Sequence, residues 1–199
     1  LATLAPLPPL WRWIIGLSWG LIFIVVVLSF ILRTQIPVAV TRIFYPLEMS
    51  WIVYLLYLVM IFLAIDLLRL IPLLRPWLQP SWPLACGVLC VLIVIFSWGS
   101  YTYHRKVRVP LDIQVEKPLE KPLKIIGISD LHLGYTIGRE ELEGWVERIN
   151  AEKPDLVLIA GDIVDGDVRP VVEDRLAEVL NRIEAPIYAS LGNHEYLGG

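Results

Sequence analysis

Hydrophobic positions run in long unbroken stretches up to about residue 104 and in short blocks after it. Residues 14–32 hold no charge, in a run opened by Trp11-Arg12-Trp13 and closed by Arg33. A helix needs about 20 apolar residues to cross a bilayer core, so this run (about 11–33) predicts a membrane span. A secretory leader would have a shorter apolar core of about 7–15 residues and a small-residue cleavage site. Phe30-Ile31-Leu32-Arg33 offers no such site. A second run covers about 49–74, with Asp66 and Arg69 spaced to pair on one helix face near its far end. A third covers about 84–104 and ends among Trp98, Tyr101, Tyr103 and His104, the aromatic edge that a membrane–water boundary favours. The prolines at 6–9 and 72–83 break helices and mark loops.

After residue 104 the rhythm shortens. Val107, Val109, Leu111, Ile113 and Val115 alternate with mostly polar residues, which predicts a half-buried edge strand or hairpin, with Pro110 limiting its pairing. Lys117-Pro118-Leu119-Glu120-Lys121-Pro122 reads as a turn, so residues 105–122 form a linker. A buried strand is predicted over about 123–129. A helix follows on Leu142, Trp145, Val146 and Ile149, with Glu140 and Glu141 in its first turn, where the helix dipole favours acids. Leu156-Val157-Leu158-Ile159-Ala160 is a second strand. Val172, Leu176, Val179, Leu180 and Ile183 mark a second helix, and Ile187-Tyr188-Ala189-Ser190-Leu191 a third strand. The expected fold is therefore an N-terminal α-helical membrane region (1–104) followed by an α/β domain (123–199).

Composition sharpens this division. The chain is 56% hydrophobic and 19% charged, and nearly all of the apolar excess precedes residue 105. The net charge of −3 gives no basic footprint, so no nucleic acid binding is predicted. Cys86 and Cys90 lie in an apolar run without nearby His or further Cys, which argues for packing rather than zinc. Arg105, Lys106 and Arg108 follow the third span and Arg33 and Arg42 separate the first two, against Arg12, Arg69 and Arg75 on the other side. By the positive-inside rule the C-terminal part is expected in the cytoplasm.

Every strand of the α/β part ends in polar residues: Asp130-Leu131-His132, then Gly161-Asp162-Ile163-Val164-Asp165, then Gly192-Asn193-His194-Glu195. The steps from Asp130 to Asp162 and from Asp162 to Asn193 are 32 and 31 residues. A β–α–β crossover takes about 30 residues or more, so each step returns the chain to the same sheet edge. The five residues Asp130, His132, Asp162, Asn193 and His194 then converge on one rim. Asp130, His132 and Asp162 suit a divalent metal, Asp162 can bridge to a second, and Asn193 can offer that second ion an amide oxygen. Two metals about 3.5–4 Å apart clamp a phosphate and activate water. His194 beside them can give a hydrogen bond or proton to the leaving oxygen.

In this order and at strand ends, the three motifs resemble the first three of the calcineurin-like metallophosphoesterases, over about residues 123–195. The spans ahead of them resemble membrane-anchored bacterial members, which implies an integral protein of the bacterial inner membrane. The fold implied is part of a calcineurin-like β-sandwich flanked by helices. The family implies that Asp130 and His132 bind the first of two divalent metals (Mn, Fe or Zn), Asp162 bridges, Asn193 binds the second, and His194 acts on the substrate phosphate. It also implies that Asp165 orients His194; a solvated turn acid is the alternative. Glu195 and Asp167 match no catalytic role and are expected at the surface or as caps.

Two departures bear on function. Where protein phosphatases of this family carry an arginine after the second aspartate, this chain has Gly166. That favours a phosphodiester or small phosphoester, lipid-linked or nucleotide, over a phosphoprotein. The family's later Gly-His and Gly-x-His motifs are not matched up to Gly199, so a truncated and inactive fragment is expected. The alternative is a membrane sensor or scaffold with a non-catalytic domain, against which His194 counts.

Overall fold

The computed structural model describes residues 5–197 and divides into two compact units. The first comprises Leu1–Ile31 and Leu47–Ile113; the second comprises Leu32–Pro46 and Gln114–Gly199.

Three long helices supply the first unit and part of the second: α1 (Pro9–Leu32), α2 (Val38–Leu68) and α3 (Trp82–His104). Each is long and apolar enough to cross a membrane. Their packing within the first unit centres on Leu58 and Ile65 of α2 and Ala85, Val88 and Leu92 of α3. Trp19 of α1 stacks on Tyr54 and tilts against Trp51 of α2, at centroid distances of 6.1 and 5.8 Å. Arg69 Nη1 donates to Asp66 Oδ1 at 2.8 Å, the pairing that their spacing predicts. Ser81 caps α3 by accepting from the Leu84 N–H.

Two boundaries differ from the hydropathy reading. Helix α2 begins at Val38 rather than near Met49 and stops at Leu68, before the turns around Pro72 and Pro76. Its 31 residues rise about 46 Å at 1.5 Å each, well beyond a hydrocarbon core of about 30 Å. The surplus is at its head, and the segment Leu32–Pro46 belongs to the second unit.

The second unit contains a three-stranded parallel sheet in the order β1 (Ile125–Ile128), β2 (Leu156–Ala160), β3 (Ile187–Ser190). Ile125 pairs with Leu156 and Val157 with Ile187, each the start of its ladder. Helix α4 (Arg139–Ala151) covers one face with Leu142, Val146 and Ile149. They meet Val157 and Ile159 of the central strand and Leu176 and Val179, none more than 8% exposed. Each such side chain contributes about 1.5–3 kcal/mol by leaving water.

Three expectations are corrected here. Residues 105–124 contain no strand, and the five alternating apolar residues from Val107 to Val115 are all exposed. Alternation favours a strand only where a partner supplies hydrogen bonds, and Pro110 removes one donor from this stretch. The single helix expected after Gly166 is two short ones, α5 (Arg169–Glu173) and α6 (Leu176–Leu180), divided at Arg175, whose φ is 52°. Val172 consequently points outward while Leu176 is fully buried. The strand predicted to be buried is half-open: among the described residues one face of the sheet is covered, and Ile125, Leu158 and Tyr188 on the other are exposed. Three apolar helices followed by a small parallel sheet with helices give the α-helical and α/β parts that the sequence predicts.

Candidate metal centre

The loops that leave β1 and β2 are stitched to each other. The N–H groups of Asp130, His132 and Leu133 donate to the carbonyls of Gly161, Asp162 and Ile163, and Asp165 N–H donates back to Leu133. Leu131, Leu133 and Tyr135 are buried as anchors. Their alternation leaves Asp130 and His132 to project from the rim.

The backbone at this rim is unusual. Asp130, His132 and Asp162 have φ of 55°, 44° and 51°, in the left-handed region that costs about 1–3 kcal/mol outside glycine. Three of the five non-glycine residues with positive φ among the described residues fall at this rim; Lys153 and Arg175 are the others. Gly161 and Gly192 let the second and third loops touch. A Cβ on Gly161 would lie 2.7 Å from Gly192 Cα, and one on Gly192 would collide with the Asp162 carboxylate.

His132, Asp162 and His194 each offer a ligand atom, and these atoms all lie within 4.8 Å of one another. The two imidazoles meet edge-to-face with centroids 4.4 Å apart. His132 Nε2 is 3.8 Å from Asp130 Oδ1, so Asp130 adjoins the group. Asn193 opens the short helix α7 (Asn193–Leu197) beside His194 and is exposed. The His194 N–H donates to Asp162 Oδ1 at 2.9 Å, which orients that carboxylate. The rim thus brings His132, Asp162 and His194 together, with Asp130 beside His132 and Asn193 next to His194 in the chain.

Asp165 sits behind the histidines. Its Oδ1 lies 3.4 Å from His194 Nδ1 and 3.8 Å from His132 Nδ1. His194 Nδ1 is buried without a hydrogen-bond partner in this geometry. Its nearest acceptor is the Asp165 carboxylate. One small rotation would align the pair.

Two acids expected at the surface or as caps prove structural. The Glu195 carboxylate accepts four backbone N–H groups: Ile163 and Val164 on Oε1, Asp162 and Gly192 on Oε2, at 2.6–3.1 Å. Burial alone would push its carboxyl up, yet these donors outweigh it and bring it down to about 2. Glu195 therefore clamps the third loop to the second. Asp167 is 8% exposed and accepts from Tyr135 Oη at 2.7 Å and from Arg169. Burial works upward here too, but the Arg169 guanidinium and the Tyr135 hydroxyl hold the carboxyl at about 2. The sequence signal available for Glu195 was its place three residues after Gly192, too common a spacing to be read alone.

Two nitrogen donors and a carboxylate, strained into one cluster with a second carboxylate adjacent, form a donor set that suits a divalent transition metal. Residues 123–199 match the model of the calcineurin-like phosphoesterase family. The chain carries a calcineurin-like metallophosphoesterase domain. A metallophosphoesterase of Aquifex aeolicus is 41% identical over 109 residues, which are 51% of this chain and 40% of that protein. A zebrafish (Danio rerio) transmembrane protein with metallophosphoesterase domain is 33% identical over 113 residues, 53% of this chain and 25% of that one. Its namesake in Bos taurus is 31% identical over 128 residues, 60% and 26% of the two chains. The chain spans about a quarter to two-fifths of the length of these relatives. No solved structure matches it. The metallophosphoesterase domain thus falls where the strand-end motifs lie, after three helices able to cross a membrane.

Proposed function

We propose that the protein is a membrane-anchored, two-metal phosphoesterase that hydrolyses phosphodiesters, lipid-linked or nucleotide. The observation that carries this is the convergence of His132, Asp162 and His194 to within 4.8 Å at the ends of successive strands. Asp130 and His132 would hold the first ion, Asp162 would be shared between the two, and Asn193 would hold the second. Divalent metals held there would polarise the phosphoester and lower the pKa of a bound water.

The chain's own residues do the rest. The Glu195 clamp and the His194 N–H fix Asp162 in position before any ligand arrives. With Nδ1 turned toward Asp165, the His194 ring presents Nε2 to the leaving oxygen, to which it gives a proton as the phosphorus–oxygen bond breaks. Gly166 has a φ of 64°, so a side chain there would be strained, and the position provides no cation to grip a phosphoprotein monoester. This supports a diester. The Lys/Arg balance beside the spans supports a cytoplasmic domain, and the family resemblance supports a bacterial inner membrane.

The test is hydrolysis of bis(p-nitrophenyl) phosphate and p-nitrophenyl phosphate by the whole protein with Mn²⁺. The diester should be the better substrate, and Asp162→Ala should abolish turnover of both. Metal-dependent turnover that survives Asp162→Ala would overturn the mechanism.

A further inference from the structure

The head of α2 is built into the phosphoesterase unit. Arg42 Nη2 donates to both carboxylate oxygens of Asp174, at 3.0 and 3.1 Å. Arg169 reaches the turn at Arg33–Gln35 and donates to three of the carbonyls there, those of Arg33, Thr34 and Ile36, at 2.9–3.1 Å. Asp167 and the Tyr135 hydroxyl hold that guanidinium from behind. Thr41 and Tyr45, one helical turn apart, are 1% and 6% exposed.

Tyr45 is the member of this segment that reaches the rim. Its hydroxyl donates to Asp165 Oδ2 at 2.5 Å, while Oδ1 of the same carboxylate faces His132 and His194. Its ring is held as well, tilted against Tyr135 at 5.2 Å with the Arg33 guanidinium 5.5 Å from its centroid. Asp165 has two oxygens and two tasks. One oxygen turned toward the histidines is useful only if the other is fixed, since a carboxylate rotates about its last bond. The short contact to Tyr45 fixes it.

We propose that Tyr45, carried on a membrane-span helix, is a positioning residue of the phosphoesterase site, fixing through Asp165 the orientation of His194. The inference rests on the function proposed above. It makes the site composite: the three strand-end motifs supply the groups that meet metal and substrate, and a residue 120 positions from Asp165 sets their aim. A one-residue shift of α2 along its axis moves the hydroxyl by about 1.5 Å, enough to break the contact. Catalysis is therefore sensitive to how the segment Leu32–Pro46 is seated within the second unit.

The experiment uses the whole protein in lipid nanodiscs with Mn²⁺ and bis(p-nitrophenyl) phosphate. Tyr45→Phe keeps the ring and removes the donor, so kcat should fall about tenfold with KM within about twofold. Asp165→Asn should lower kcat too, and Tyr45→Phe should add nothing on that background. Wild-type kcat in Tyr45→Phe, or two losses that multiply, would overturn the proposal. Melting temperatures of the metal-free protein give a second readout, in which the two substitutions should be less than additive; additive shifts would overturn the coupling. A wild-type protein without metal-dependent turnover would count against the phosphoesterase function, and the Tyr45–Asp165 link would then be decided by the melting cycle. Arg42→Asp should also lower kcat, and Asp174→Arg added to it should restore it if the docked segment acts through this geometry. Failure of that rescue, with Tyr45→Phe silent, would likewise overturn it.

Discussion

Glu195→Gln is the sharpest perturbation of the rim. The wild-type carboxylate receives two N–H groups on each oxygen. In the amide one oxygen becomes an NH₂ group, so two backbone donors lose their acceptor and face a third donor. Each half-buried orphaned donor costs about 1–3 kcal/mol, and the lost charge weakens the remaining pair as well. Because Glu195 is partly exposed, water recovers some of this, and a cost of about 2–4 kcal/mol is expected. The same bonds hold Asp162 at its left-handed φ, so relaxation there should weaken Mn²⁺ binding about 10- to 100-fold, as loss of an outer-shell partner does. Amide exchange should quicken at the two N–H groups that lose their acceptor, either Ile163 and Val164 or Asp162 and Gly192, while β2 stays protected. Glu195→Asp, one methylene short, should fall between. Wild-type amide protection together with wild-type Mn²⁺ affinity in Glu195→Gln would refute the clamp.

Gly192→Ala should abolish Mn²⁺ binding with little change in helix content, because its Cβ would lie 2.5 Å from Asp162 N; calorimetric titration checks this, and retained affinity would contradict the close approach. The Asp167 carboxyl lies at about 2 against an ordinary 3.8. A depressed folded-state value gives stability that is present above the unfolded value and lost as pH falls from about 4 towards 2. At 1.36 kcal/mol per unit this is on the order of 2 kcal/mol. Thermal melts across that window should show a steeper decline for wild type than for Asp167→Asn, and parallel curves would count against the buried Asp167–Arg169 pair.

Much of this was legible in the chain, for identifiable reasons. The strands at 125–128, 156–160 and 187–190 announced themselves because β-branched runs stop abruptly at polar residues, and their even spacing gave the parallel order. The placement of Asp130, His132, Asp162 and His194 on one rim was legible because parallel crossovers return successive strand ends to the same sheet edge. The three long helices were legible because each contains an apolar run of about the length that crosses a bilayer core. What was not legible depends on contacts distant in sequence. The pairing of Tyr45 with Asp165 joins residues 120 apart, and no local pattern encodes it. The early start of α2 was hidden because Arg42, Pro46 and Glu48 interrupt the apolar run before Met49, whereas its head is held by Asp174 through Arg42. Glu195 and Asp167 carried no periodic signal, and their roles come from backbone groups the fold delivers to them. The alternating stretch at 107–115 misled because alternation describes a face, and among the described residues no strand pairs with it.

The central claim is that Asp162 bridges two ions between His132 and Asn193. Metal content of the whole protein after dialysis against limiting Mn²⁺ tests it most directly. Wild type should hold two ions per chain, Asp162→Asn fewer than one, and Asn193→Ala one. Two ions retained by Asp162→Asn would contradict the account.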